Sequence, residues 1–228
     1  MTYWVRGRTG RHVKVIVAIL AIVTLFYFHA AILHGIGSLL VSTEPMRPVQ
    51  FVIILGDPGW VEHTADLIDR AAVRTVVLVE PKMPRTVAVG AVESFATLGR
   101  KELLRQGVSE DAIEVVLSQA ENHHQAFRAV NDWLQQKPDT QSVILVNRLR
   151  TRYFRQVIDS VLAADHAKRL HVVPIRLSLY DETNWWHSAD GLKGVARNYL
   201  SLIHVLCYGE PDLGMEDWDP DQYQRSLQ

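Results

Sequence analysis

Short apolar runs rich in β-branched residues recur along the chain at 51–55, 76–79, 113–117, 143–146 and 170–175. They lack the strict alternation of a half-solvated strand, so they read as strands buried on both faces. Segments of helix length separate them: 61–72 with Leu67 and Ile68 on one face, 91–106 closed by Gly107, 122–136 closed near Pro138, and 151–164. A last helix over 192–207 would pack through Val195, Tyr199, Leu202, Ile203 and Leu206, with Cys207 on the same buried face. Regular alternation of strand and helix implies right-handed crossovers and a parallel sheet. The expected fold class is α/β, a doubly wound, Rossmann-like parallel sheet of about five strands.

One apolar run is different. The segment 15–33, VIVAILAIVTLFYFHAAIL, carries no formal charge and has about the 20 residues that a helix needs to cross 30 Å of hydrocarbon. It reads as one transmembrane helix, an anchor over 15–36 preceding the domain. Arg6, Arg8, Arg11 and Lys14 stand before it without an acidic residue, which places 1–14 in the cytoplasm and the domain outside, in the periplasm or beyond. The expected localisation is the inner membrane, single pass. A cleaved signal peptide ending near Gly35-Ile36-Gly37 and a buried core helix are the competing readings. The remaining division is a linker at 37–49, stiffened by Pro45 and Pro48, the α/β domain at 50–209, and an acidic, proline-broken tail at 210–228.

Composition narrows the function classes. The chain has 228 residues and 48% hydrophobic content, enough for one domain with a substantial core plus an accessory segment. A formal net charge of -1 argues against a nucleic-acid partner. The single cysteine, Cys207, excludes an internal disulfide framework and a Cys-rich metal site.

In a doubly wound sheet, ligands bind beyond the carboxyl ends of the strands, so the loops there are read together. Gly56-Asp57-Pro58-Gly59 follows the first strand and offers free backbone N–H groups and one carboxylate. Glu80 follows the second, Asn122, His123 and His124 the third, Asn147, Arg148, Arg150 and Arg152 the fourth, and Asn184, Trp185 and Trp186 the fifth. The candidate catalytic residues are Asp57 and His123, with His123 as general base or hydrogen-bond donor. The candidate ligand-binding residues are Gly56, Gly59, Glu80, Asn122, Asn147, Arg148, Arg150, Arg152, Asn184 and Trp186. The arginines stand before a helix start, where backbone N–H groups already favour an anion. Their alternation prevents all three from pointing one way, and Arg148 and Arg152 are the favoured pair; the alternative is a solvated turn paired with Asp181 and Glu182. No metal is expected, since adjacent histidines on a helix diverge by about 100° and no third ligand has a recognisable spacing. No cofactor is expected, because the phosphate-loop motif and the full dinucleotide fingerprint are missing. Nucleotide or S-adenosylmethionine at the first loop is the weaker alternative.

Several stretches together resemble the SanA/YdcF/ElyC-like family, the bacterial domain of unknown function 218. They are VIILGDPG, Glu93 leading toward Leu104 and Gly107, Ile113-Glu114-Val115, Asn122, the strand ILVN running into RLRTRYFRQVI, and NWW before the closing helix. The chain departs from the family pattern at Val79-Glu80-Pro81, where a Ser-Gly-Gly is usual, and at Asn147-Arg148, where a Thr-Ser is usual. The resemblance implies a Rossmann-like cell-envelope protein concerned with surface polymers or lipid carriers. The expected function is a membrane-anchored domain that binds an anionic, phosphate-bearing envelope precursor or lipid-linked substrate, as a transferase or hydrolase. The alternative is a degenerate, non-catalytic member acting as an assembly or scaffolding partner in the membrane.

Overall fold

The structure, a computed structural model, describes residues 6–44, 48–56, 61, 64, 73–138, 140–175 and 179–209. Strands β1 (Phe51–Leu55), β2 (Thr75–Glu80), β3 (Ile113–Leu117), β4 (Ser142–Asn147) and β5 (Leu170–Ile175) form one sheet ordered β3-β2-β1-β4-β5. Every neighbouring pair is parallel, with Phe51 opposite both Thr75 and Ser142. The expected doubly wound α/β sheet of five strands is therefore present. Val52, Ile53, Ile54, Val143, Ile144, Leu145 and Val146 are wholly inaccessible, as apolar strands covered on both faces must be.

The helices are α1 (Arg6–Ser38), α2 (Arg85–Ala88), α3 (Phe95–Arg105), α4 (His123–Gln135), α5 (Thr151–Val161), α6 (Ala164–Arg169) and α7 (Ala189–Tyr208). Right-handed crossovers put α3, which leads from β2 outward to β3, on one face of the sheet. They put α4 and α5, which lead back toward β4 and on to β5, on the other. The order reverses between β1 and β4, and this is where a doubly wound sheet opens a crevice at its carboxyl edge.

Local chemistry shifts several boundaries from the sequence reading. The helix expected over 91–106 starts later, because the Ser94 hydroxyl accepts the Thr97 N–H and caps α3. The helix expected over 151–164 stops at Val161, where Leu162 turns extended, and α6 follows as a separate piece. Most of the segment expected as a helix over 61–72 and the tail 210–228 lie outside the described residues. On α7 the packed stripe is Val195, Asn198, Leu202 and Val205, an i, i+3, i+4 series. That orientation turns Ile203 and Cys207 outward, and Leu206 is exposed too, which corrects the expected buried face.

The N-terminal expectation is also corrected. Among the described residues no helix is long and apolar enough to cross a membrane. From Leu33 onward, moreover, the helix belongs to the domain. Trp185 Nε1 donates to the Leu33 carbonyl at 3.1 Å, and the Tyr199 hydroxyl donates to the Ile36 carbonyl, one of the four that a helix end leaves unpaired, at 2.5 Å. Gly37 lies so close to the 182–185 turn that a Cβ would stand 2.8 Å from Glu182 Cα. Gly37 of the Gly-Ile-Gly sequence is thus a packing contact. The spanning anchor at 15–36, the signal anchor, and the placement in the inner membrane with an external domain are not supported.

The segment after α1 continues along the carboxyl edge. Leu40 is 1% exposed and, with Leu149, Trp185, Val195 and Leu202, forms a second apolar cluster apart from the main core. Burying a leucine side chain in this way stabilises by about 2 kcal/mol. The Thr151 hydroxyl accepts the Ser42 N–H at 2.7 Å, and the Arg152 N–H donates to the Leu40 carbonyl at 3.2 Å. These bonds tie the segment to the first turn of α5.

Candidate functional site

A cavity of about 270 Å³ opens at the carboxyl edge of the sheet. Its floor is Leu55 and Gly56 at the end of β1 with Val79 and Pro81 at the end of β2. One wall is the loop from Ser118 into the first turn of α4, and Arg150 closes it from the far side of the switch point. Gly56 adopts φ +57°, a left-handed conformation that glycine takes without strain. A second cavity of about 310 Å³ lies at the opposite edge and carries a single charged residue, Arg74. The charge and the convergent polar groups are at the first.

The three arginines after β4 have separate fates. Arg148 is held by Glu182, with Nε donating at 2.8 and 2.7 Å to the two carboxylate oxygens and Nη2 at 2.5 Å to Oε1. This gripping hydrogen bond holds the Glu182 carboxyl below its ordinary value. Arg152 is exposed and does not line the cavity. Arg150 stacks over Tyr153 and Phe154, with Cζ 5.2 Å from each ring centroid. Its Nε is shielded from solvent without a hydrogen-bond partner among the described residues. Desolvation lowers its pKa from the ordinary guanidinium value, and the nearby Arg197 adds repulsion. The favoured pair of the sequence reading is thereby replaced by Arg150 alone.

His123 is the first residue of α4, which Asn122 caps by accepting the Gln125 N–H at 2.9 Å. Burial is the main force that lowers its pKa from 6.5 to about 4, and repulsion from Arg150, His124 and Arg197 adds to it. At neutral pH the imidazole is uncharged. Its ring meets Phe154 edge-on at 4.8 Å and Tyr153 at 5.7 Å, and Nδ1 lies 3.3 Å from the Tyr153 hydroxyl. So weak a base is poorly suited to abstract protons near neutrality, and its usable chemistry is hydrogen bonding.

The remaining sequence candidates divide clearly. Gly56, Asn122, His123 and Arg150 are brought together at the cavity. Glu80 is 3% exposed but turned away, its carboxylate accepting the Ala96 N–H at 2.5 Å at the start of α3. Asn147 accepts the Leu149 N–H at 3.1 Å and shapes the turn before α5. Asn184 closes its own loop by accepting the Asp181 N–H at 2.8 Å. Trp186 packs edge-on against Trp185 at 5.9 Å, beside the second apolar cluster. Asp57 and Gly59 lie outside the described residues. Among the described residues no group of His, Cys, Asp or Glu is arranged to hold a metal ion.

Sequence reasoning missed Tyr153 and Arg197. The signal for Tyr153 was its place three residues beyond Arg150, on the same side of the helix that Arg150 leads into. Arg197 comes from α7, far along the chain, and no local pattern points to it.

Compared with known proteins, the chain matches no family model and no curated sequence. The resemblance to the domain-218 family therefore rests on the short stretches alone.

Proposed function

We propose that this domain binds a small anionic, phosphate-bearing molecule in the carboxyl-edge cavity, with Arg150 as the cation that receives it. The observation that carries the reading is the shielded Arg150 Nε with no partner among the described residues. Burying a charged group is costly, and an oxyanion held by the Arg150 guanidinium in the cavity would offset that cost. Three further features support the reading. The cavity lies at the strand-order reversal, the N-terminus of α4 opens onto it, and Arg197 adds positive potential. The two walls confine a ligand to the size of a phosphorylated small metabolite, since 270 Å³ is at the low end for ligand pockets.

The test is calorimetric titration of the whole chain with inorganic phosphate and with a hexose phosphate. Arg150→Gln is expected to weaken binding at least tenfold, whereas Arg152→Gln, outside the cavity, leaves it unchanged. Failure of the wild-type chain to bind either probe, or equal binding by Arg150→Gln, would overturn the reading.

A further inference from the structure

We infer that Tyr153 is a positioning residue of this site: its hydroxyl donates to His123 Nδ1 and fixes the tautomer in which Nε2–H serves as a donor to the bound anion. The inference rests on the anion-binding reading of the cavity. A neutral imidazole has one donor and one acceptor nitrogen, so the bond made by one nitrogen decides the role of the other.

Several observations converge on the direction of that bond. The Tyr153 side chain is 8% exposed, and His123 Nδ1, at 3.3 Å, is its only hydrogen-bond partner among the described residues. A buried phenol that donates gains more than one that only accepts, because an O–H left without an acceptor is a lost hydrogen bond. Burial also raises the Tyr153 pKa, so the proton stays on the oxygen. Tyr153 does not line the cavity itself, so it acts through His123. Its ring carries Arg150 as well, and one side chain thus orients both the cation and the imidazole.

Among the described residues, the groups at the site with a donor to offer outnumber those with an open acceptor. The oxygens along the wall are already engaged. The Ser118 hydroxyl donates to the Glu80 carbonyl at 2.7 Å and accepts the Ala120 N–H. Glu121 is paired with Lys82 at 2.5 Å, and Asn122 Oδ1 caps α4. What remains toward the cavity is Arg150, His123 Nε2–H and the backbone N–H groups of the first turn. That set suits an oxyanion that only accepts.

The experiment pairs nitrogen-15 NMR of the His123 ring with calorimetric titration of sulfate and phosphate at pH 7, for the wild type and Tyr153→Phe. In the wild type, His123 is expected to hold its proton on Nε2, and sulfate is expected to bind at least as tightly as phosphate. In Tyr153→Phe the ring samples both tautomers, and sulfate affinity falls by the share of the Nε2–H form that is lost, about twofold for an even mixture. Phosphate loses less, because it can donate to an unprotonated Nε2. Equal weakening of both anions with an unchanged tautomer would show a merely structural role and overturn the inference. A wild-type ring protonated on Nδ1 overturns it even if Tyr153→Phe fails to fold, and leaves the anion reading standing. If neither anion binds although Nε2 carries the proton, the anion reading itself fails, and the role given to Tyr153 fails with it.

Discussion

His123 and Arg150 rest against the same ring: Phe154 takes the guanidinium at 5.2 Å and the imidazole edge-on at 4.8 Å. Two groups that would repel if both were charged are thus kept close by burial, and the imidazole is the one that gives up its charge. This arrangement places a desolvated cation beside a desolvated imidazole at a cost to the fold, and stability measurements should detect it.

Arg150→Met removes a desolvated cation and keeps the aliphatic length that covers Tyr153 and Phe154. Its expected effect is a stabilisation of about 1 kcal/mol in the absence of added anions, together with loss of phosphate binding. Urea unfolding with and without phosphate checks both halves. A destabilised variant would mean that the guanidinium is already satisfied in the free domain.

The depressed His123 pKa has a defined sign. An unfolded chain takes up a proton near 6.5, while the folded one resists until about 4. Acidification through that window therefore favours the unfolded state, by up to about 3 kcal/mol from this group. Unfolding midpoints should fall as pH drops from 6.5 to 4, and His123→Asn should flatten the slope.

The ion pair of Arg148 with Glu182 contributes in the same direction at lower pH. Glu182 is held below its ordinary value of 4.5, so the pair is at full strength above that value and is lost as pH falls through the lowered one. At pH 7, Glu182→Gln should cost about 2 kcal/mol, because Arg148 keeps a hydrogen-bond acceptor but loses a charge. The variant should also lose its part of the acid sensitivity, which a double-mutant cycle with Arg148→Gln would isolate.

Gly37→Ala is a test of the docked helix end. The added methyl meets Glu182 Cα at 2.8 Å and the Glu182 carbonyl oxygen at 2.9 Å, both backbone atoms that cannot swing aside. A destabilisation of about 1–3 kcal/mol is expected, with the Trp185 and Tyr199 bonds to α1 weakened. Gly35→Ala, where a Cβ meets nothing within 4 Å, is the matched control and should be neutral or slightly stabilising. Tryptophan fluorescence during thermal unfolding would separate the two.

The parallel sheet was legible in advance because a strand covered on both faces must be apolar at every position, and that demand is local to five or six residues. The helix caps were nearly so, since Ser94 and Asn122 each act on a backbone N–H three residues away. The arginines were not. Their alternation showed only that they diverge, and Arg148 is withdrawn by Glu182, which lies 34 residues along the chain. The segment 15–33 was misread for a similar reason. Its hydropathy speaks of solvent preference alone, while its far end is committed by Trp185 and Tyr199, more than 150 residues along the chain.

By itself, then, the amino-acid order determined the strands, the burial of the central three, β1, β2 and β4, on both faces, and the edge of the sheet where chemistry gathers, whereas β3 and β5, at the sheet's edges, are only partly covered. Those properties follow from periodicity and from the handedness of the crossovers. Only the tertiary structure decided which cation lines the cavity, which nitrogen of His123 meets the Tyr153 hydroxyl, and where the first helix ends against the domain. Each of these is settled by a partner brought in from a distant part of the chain, and desolvation then fixes the charge state that the partner leaves.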